Sequence, residues 1–103
     1  MIKIQNAASL KIDEIYRYIL KNWGEKQAKI YINGLFESFD NIGSNLIVSC
    51  SIPAEFGING FDFRYEKHYV YWKYLDSGDI GIVTVLHERM HQIKQFSELF
   101  NSN

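Results

Sequence analysis

Three histidines, His68, His87 and His91, fall in the last third of the 103-residue sequence, and two of them bracket the string His87-Glu88-Arg89-Met90-His91. That spelling, HExxH, is the one a zinc hydrolase carries on a helix. There, two imidazoles one turn apart hold the metal and the glutamate acts as general base. The surroundings do not complete such a site. His87 ends an apolar run, residues 80–87, that reads as a strand, so it need not share a helical face with His91. Of the twelve residues after His91 none forms the xxGxxH continuation, and Glu98 stands without a convincing helix to present it. The expectation is no zinc and no cofactor.

A second set could do acid–base chemistry: Arg64, His68, Lys73, His87, Glu88 and Arg89. All lie at the ends or polar faces of expected neighbouring strands. Cutting RNA at a 2′-hydroxyl needs a base for its proton, an acid for the leaving oxygen and cations for the phosphate. The simpler reading is a group of solvated strand-end charges with ordinary pairing. The run Tyr69, Tyr71, Trp72 and Tyr74 could stack bases, although such ladders more often pack across strands or form a partner's groove. Cys50, the single cysteine, has no histidine or cationic neighbour in sequence to make it a nucleophile.

The elements that must position these residues can be read from periodicity. Residues 2–5 alternate as a short strand, and Asn6 is placed to cap a helix. Ile12, Ile15, Tyr16, Ile19, Leu20 and Trp23 then recur at helical spacing until Gly24 stops them. Ala28, Tyr31, Ile32, Leu35, Phe36 and Phe39 make a second such face, ending near Gly43. Gly34 inside it marks a close backbone approach. Residues 43–60 form a connector punctuated by Pro53, Gly57 and Gly60, with a short strand within residues 46–50. From Gly60 the period becomes two: residues 61–66, 68–75 and 80–87 read as three strands, with a turn over residues 76–79. Ile93, Phe96 and Phe100 suggest a short C-terminal helix. The expected fold is α+β: an N-terminal strand, then an antiparallel helical hairpin packed on a three-strand antiparallel meander, then the short helix. The hairpin should spend its apolar residues on the sheet, leaving none for a partner.

Composition sets the outer bounds. The length fits one domain, residues 1–103, and 47% hydrophobic residues are enough for a packed core. A lone cysteine excludes an internal disulfide and suits a reducing cytosol. No signal peptide or membrane span is read, so a soluble cytoplasmic protein is expected. Net charge is −1, with six Lys/Arg against three Asp/Glu in residues 1–30 and one against five in residues 31–66. That pattern gives no extended groove for phosphates.

Residues 68–73, HYVYWK, followed after a short turn by GDIGIVTVLHERMH, closely resemble the signature of ParE-type toxins in the ParE/RelE superfamily. Residues 7–16 and 23–35 agree with that family's two helices, including its WG turn. His91 stands where the family commonly has Asp, a departure that creates the HExxH spelling by accident. The resemblance implies the fold above and an antitoxin, encoded alongside, that wraps a disordered tail over the toxin. It implies a growth-inhibiting toxin, and ParE toxins poison DNA gyrase whereas RelE relatives cleave mRNA on the ribosome. It assigns no catalytic residue. Between those activities, the near-neutral charge and the small set Arg64, Lys67, Lys73 and Arg89 across the three strands favour binding a protein target over dwelling among phosphates. A toxin fold that only binds its antitoxin and represses transcription is the third reading. The expected target surface is His87, Glu88, Arg89 and His91 with Ile93 and Phe96 as apolar anchors, and Arg64, His68 and Lys73 as secondary polar candidates. No membrane contact and no sequence-specific nucleic-acid binding by the chain alone are expected.

Overall fold

The computed structural model describes residues 2–44, 47, 49–52 and 59–89. In chain order these form β1 (Ile2–Ile4), α1 (Asn6–Trp23), α2 (Glu25–Gly43), β2 (Cys50–Ser51), β3 (Phe61–Tyr65), β4 (His68–Tyr74) and β5 (Ile80–His87). The expected C-terminal helix, with Ile93, Phe96 and Phe100, lies outside the described residues, as do Pro53 and Gly57.

The two helices form because each carries one continuous apolar stripe. Ala8, Ile12, Ile15 and Ile19 are the buried residues of α1. Their spacing of four, three and four is one helix face. Ala28, Leu35, Phe39 and Ile42 do the same for α2. Asn6 does not cap α1; it is the first helical residue, and Gln5 is the N-cap, with no side-chain hydrogen bond. The sheet replaces the missing cap. The Gln5 N–H is held by the Ile82 carbonyl at 3.0 Å, so the chain leaves β1 in a fixed direction and turns at once into the helix. Gly24 alone separates the helices, with φ +91° and ψ 173°. That conformation is essentially restricted to glycine. Its N–H closes α1 on Leu20, and its carbonyl accepts from Ala28 to open α2.

The sheet is mixed and has five strands, in the order β1-β5-β4-β3-β2. The expected three-strand meander is its centre. β1 adds to one edge, parallel to β5 with Ile2 opposite Ile80, and the two-residue β2 adds to the other, antiparallel to β3. One irregularity keeps the apolar residues of β5 on a single face. Trp72 pairs with Ile82 and Tyr71 with Thr84, which leaves Val83 as an extra residue between them. Without that bulge Ile82 and Val85, three positions apart, would face opposite ways. With it both are buried, together with Val70, Leu35 and Phe39, in the core between the hairpin and one sheet face.

The hairpin is not wholly spent on that core. Tyr18 and Trp23 remain 60% and 62% exposed, and Leu10, Leu20, Ile30 and Phe36 are also on the surface. Tyr18 and Leu20 each lie about a quarter turn from the stripe that Ala8, Ile12, Ile15 and Ile19 define, on opposite sides of it, so neither can reach the sheet. The aromatic run on β4 divides in the same way. Trp72 stacks on Phe61 at 4.5 Å and donates Nε1–H to the Ser49 hydroxyl at 3.0 Å, and Tyr71 is buried. Those rings serve packing and are not a stacking platform. Among the described residues no helix is long and apolar enough to cross a membrane.

Gly34 is the close approach that the sequence suggests: a Cβ there would overlap the Tyr65 hydroxyl, which donates to the Tyr31 carbonyl at 3.1 Å. Gly34→Ala should gain helix propensity yet lose that hydrogen bond and displace the ring, for a net loss of about 1 kcal/mol. Chemical denaturation of the single and double variants checks the cause. The loss should shrink in a Tyr65→Phe background, and an undiminished loss there would show that Tyr65 is not what Gly34 accommodates.

Candidate functional site

An open cleft of about 810 Å³ runs between the hairpin and the end of the sheet where β3, β4 and β5 meet. Ile15, Tyr18, Ile19 and Trp23 of α1 and Gln27 and Tyr31 of α2 form one wall; Lys67, His68, His87, Glu88 and Arg89 form the other. The sheet wall is assembled by register. His68 begins β4 and His87 ends β5, and the two are paired across the strands. Both face the helices, and their rings meet edge to face at 5.2 Å. The turn from β3 to β4 passes through Glu66, whose φ of +52° is unusual for a residue with a side chain. Arg64 Nε donates to the Glu66 carbonyl at 2.7 Å, and the Lys67 carbonyl accepts the Glu88 N–H at 2.7 Å. The turn is thereby tied to the end of β5.

The helix wall is joined to the sheet through Tyr31. Its hydroxyl hydrogen-bonds His68 Nδ1, and its ring lies edge-on to both Tyr65 and His68. Burial pushes the Tyr31 hydroxyl up to about 12, against the lowering effect of a hydrogen bond from the Lys67 backbone. Burial likewise pushes His68 down to about 4; His87 beside it acts in the same direction, and Glu88 weakly opposes both. At neutral pH the pair is therefore a neutral phenol on a neutral imidazole. His87 accepts the Arg89 N–H on Nδ1 at 3.1 Å. Glu88 is bound by Arg64 at 2.5 Å, an ion pair that is partly exposed and so of modest strength. Among the described residues the Arg89 guanidinium has no ion pair.

The structure thus brings together Arg64, His68, His87, Glu88 and Arg89 from the sequence-derived candidates. It does not bring Lys73, which lies toward the other end of β4, opposite Gly81 and about 16 Å along the strand from His68. His91, Ile93 and Phe96 lie outside the described residues. Tyr31, Trp23 and Lys67 are cleft residues that sequence reasoning assigned to helix faces or to strand charge, and Tyr18 is one it did not single out. Tyr18 carried a usable signal, an aromatic off the apolar stripe and five residues from another. The HExxH spelling does not become a zincin helix, because His87 is the last residue of a strand and Glu88 and Arg89 are in the turn that follows. Among the described residues no three His, Cys, Asp or Glu groups come together as a metal-binding cluster.

Chemically the cleft has one aliphatic and aromatic wall and one wall of hydrogen-bonding groups. The depressed His68 also makes stability depend on pH. An unfolded histidine takes up its proton near pH 6.5, whereas the folded His68 does so only near 4. Its contribution is complete above pH 6.5 and is lost as the pH falls from there toward 4. Thermal unfolding should show a falling midpoint through that window, with a gentler fall in His68→Gln, which cannot titrate. Parallel curves for the two proteins would remove His68 as the cause.

No curated protein matches the chain. A family model described as ParE toxin of type II toxin-antitoxin system, parDE, matches residues 2–92. The match takes in every described strand and both helices, including the WG junction at Trp23–Gly24 and the Leu86–Arg89 strand end. The chain belongs to the ParE toxin family of type II toxin–antitoxin systems.

Proposed function

We propose that the chain inhibits growth by binding DNA gyrase through the cleft and its rim, that a cognate antitoxin neutralises it, and that it catalyses no reaction. Membership of the family implies the antitoxin partner; the target and the mode of action are our reading. The observation that carries it is the locked state of the acid–base groups. A ribonuclease needs one group that accepts and one that donates a proton near pH 7. Here His68 is held neutral down to about 4 and Tyr31 is held protonated up to about 12, each hydrogen-bonded to the other. Arg64, which would serve a phosphate, is already taken by Glu88. What remains open is an apolar and aromatic surface with Arg89 at its edge, a composition typical of protein interface centres. The reading needs no metal or cofactor, and it places the single-domain protein in the cytoplasm with its target.

The proposed contact surface is His87, Glu88 and Arg89, joined from the helices by Tyr18 and Trp23. His91, Ile93 and Phe96 follow directly in sequence and belong to the same proposal. Arg89 is its sharpest test. An internal partner would have made its loss a folding defect, but Glu88 pairs with Arg64 instead. Arg89→Ala should keep its melting temperature and lose about 30-fold or more in gyrase inhibition, equivalent to about 2 kcal/mol. Supercoiling and ribosomal mRNA cleavage would be assayed side by side, with antitoxin affinity. Full inhibition by the folded variant would remove Arg89 from the site. Loss of mRNA cleavage, with supercoiling untouched by either protein, would transfer the chain to the ribonuclease branch.

A further inference from the structure

The hydrogen bonds of the two histidines determine what the cleft can accept. His87 uses Nδ1 as an acceptor for the Arg89 N–H. A neutral imidazole has one acceptor and one donor nitrogen, so the His87 proton sits on Nε2. His68 resolves in the same way. Among the described residues the Tyr31 hydroxyl has no hydrogen-bond acceptor other than His68 Nδ1, and burial keeps the phenol protonated. Its own proton is then the one shared with His68 Nδ1, which places the His68 proton on Nε2 as well. Among the described residues neither Nε2–H has a hydrogen-bond partner.

The charges on the cleft show the same imbalance. Lys67 and Arg89 line it, and among the described residues neither has an ion pair. Its two carboxylates, in contrast, are both matched: Glu88 by Arg64 and Glu14 by Lys11. The sheet side therefore offers four unmatched donors, two of them cationic, and no unmatched carboxylate. Facing them, Tyr18 and Trp23 meet edge to face at 5.6 Å and are largely exposed.

We propose that the cleft seats a protein segment carrying a carboxylate beside a large apolar side chain. The carboxylate is received by the Nε2–H groups of His68 and His87 with Lys67 and Arg89, and the apolar side chain lies on Tyr18 and Trp23. The inference rests on the chain acting through protein contacts and names the chemistry of the segment it takes. The volume, about 810 Å³, suits a few side chains. A nucleic acid fits less well. Its phosphates recur along the strand and need a series of cations, whereas among the described residues the cleft offers only Lys67 and Arg89 unmatched. A single carboxylate is matched by these donors, and charge-assisted hydrogen bonds make such an exchange for water favourable.

The test uses the full-length chain, labelled with nitrogen-15, and three probes. One is an acetylated and amidated Ser-Leu-Glu-Phe-Ser peptide, the second its Gln counterpart, and the third a six-nucleotide uridine RNA. The Glu peptide should bind about tenfold more tightly than the Gln peptide, shifting the Trp23 indole and the backbone signals of Lys67, His68, His87 and Arg89. Arg89→Gln, checked for an unchanged melting temperature, should bring the Glu peptide down toward the Gln peptide. Trp23→Ala should weaken both peptides alike. Equal affinity for the two peptides, shifts confined to another face, or no peptide binding at all would overturn the inference. Tighter binding of the RNA than of the Glu peptide would overturn it in favour of a nucleic acid. Gyrase inhibition measured on the same preparations separates the two readings. Inhibition that persists without any carboxylate preference sinks this inference alone, and a carboxylate preference without inhibition sinks the gyrase target alone.

Discussion

The hydrogen bond between the Tyr31 hydroxyl and His68 Nδ1 sets how the hairpin meets the cleft end of the sheet. It joins α2 to the first residue of β4, and the edge-on packing of Tyr65 and the fit of its hydroxyl over Gly34 surround it. Because the bond is half-buried, it is stronger than it would be in water, and burial holds each partner in its neutral form at neutral pH. The histidine cannot swing out as a base without breaking the contact that closes the floor of the cleft. One contact thus sets both the docking of the hairpin on the sheet and the neutral state of His68 and Tyr31.

In a fold with this few elements, surface and core compete for the same apolar residues. Here the competition is settled by angle along the helix. Ile12, Ile15 and Ile19 point into the core, while Tyr18 and Trp23, only a few residues away, stay on the cleft side with most of their area in water. Both exposed rings are aromatic types with a polar atom, which tolerate a wet surface and add area to an interface at little entropic cost. The hairpin therefore serves two surfaces with one amphipathic pattern.

Much of the architecture could be read from the sequence, because the signals were local. The stripes of α1 and α2, the stop at Gly24, the tight approach at Gly34 and the three central strands all follow from spacing within a few residues. What escaped depended on partners far along the chain. The pairing of β1 with β5 leaves no mark in residues 2–4, and the bulge at Val83 is set by which residues of β4 it must face. Asn6 had the chemistry of a cap, yet the Ile82 carbonyl fixed the chain one residue earlier. The site divided along the same line. His68, His87, Glu88 and Arg89 stood out as polar groups at strand ends, whereas Tyr31 looked like any other core residue of a helix. Its partner, His68, is 37 positions away. Lys73 was grouped with them by charge and separated from them by the length of a strand.

The parallel pairing of Ile2 with Ile80 also has a consequence in time. The first strand finds its neighbour only after the hairpin, the connector and two further strands have been made, so the sheet cannot gain that edge while the chain is still short. Contacts of such long sequence separation slow folding, since the intervening loop must be ordered before the pairing repays it. During synthesis the α1–α2 hairpin, whose contacts are local, is complete long before its apolar stripe has a full sheet to cover. For that interval Ile12, Leu35 and Phe39 face water, and the nascent toxin is a pair of helices without a floor. The last described strand, β5, carries the partner of β1 and ends in His87 of the cleft, so that edge of the sheet and the sheet wall of the cleft form in the same step.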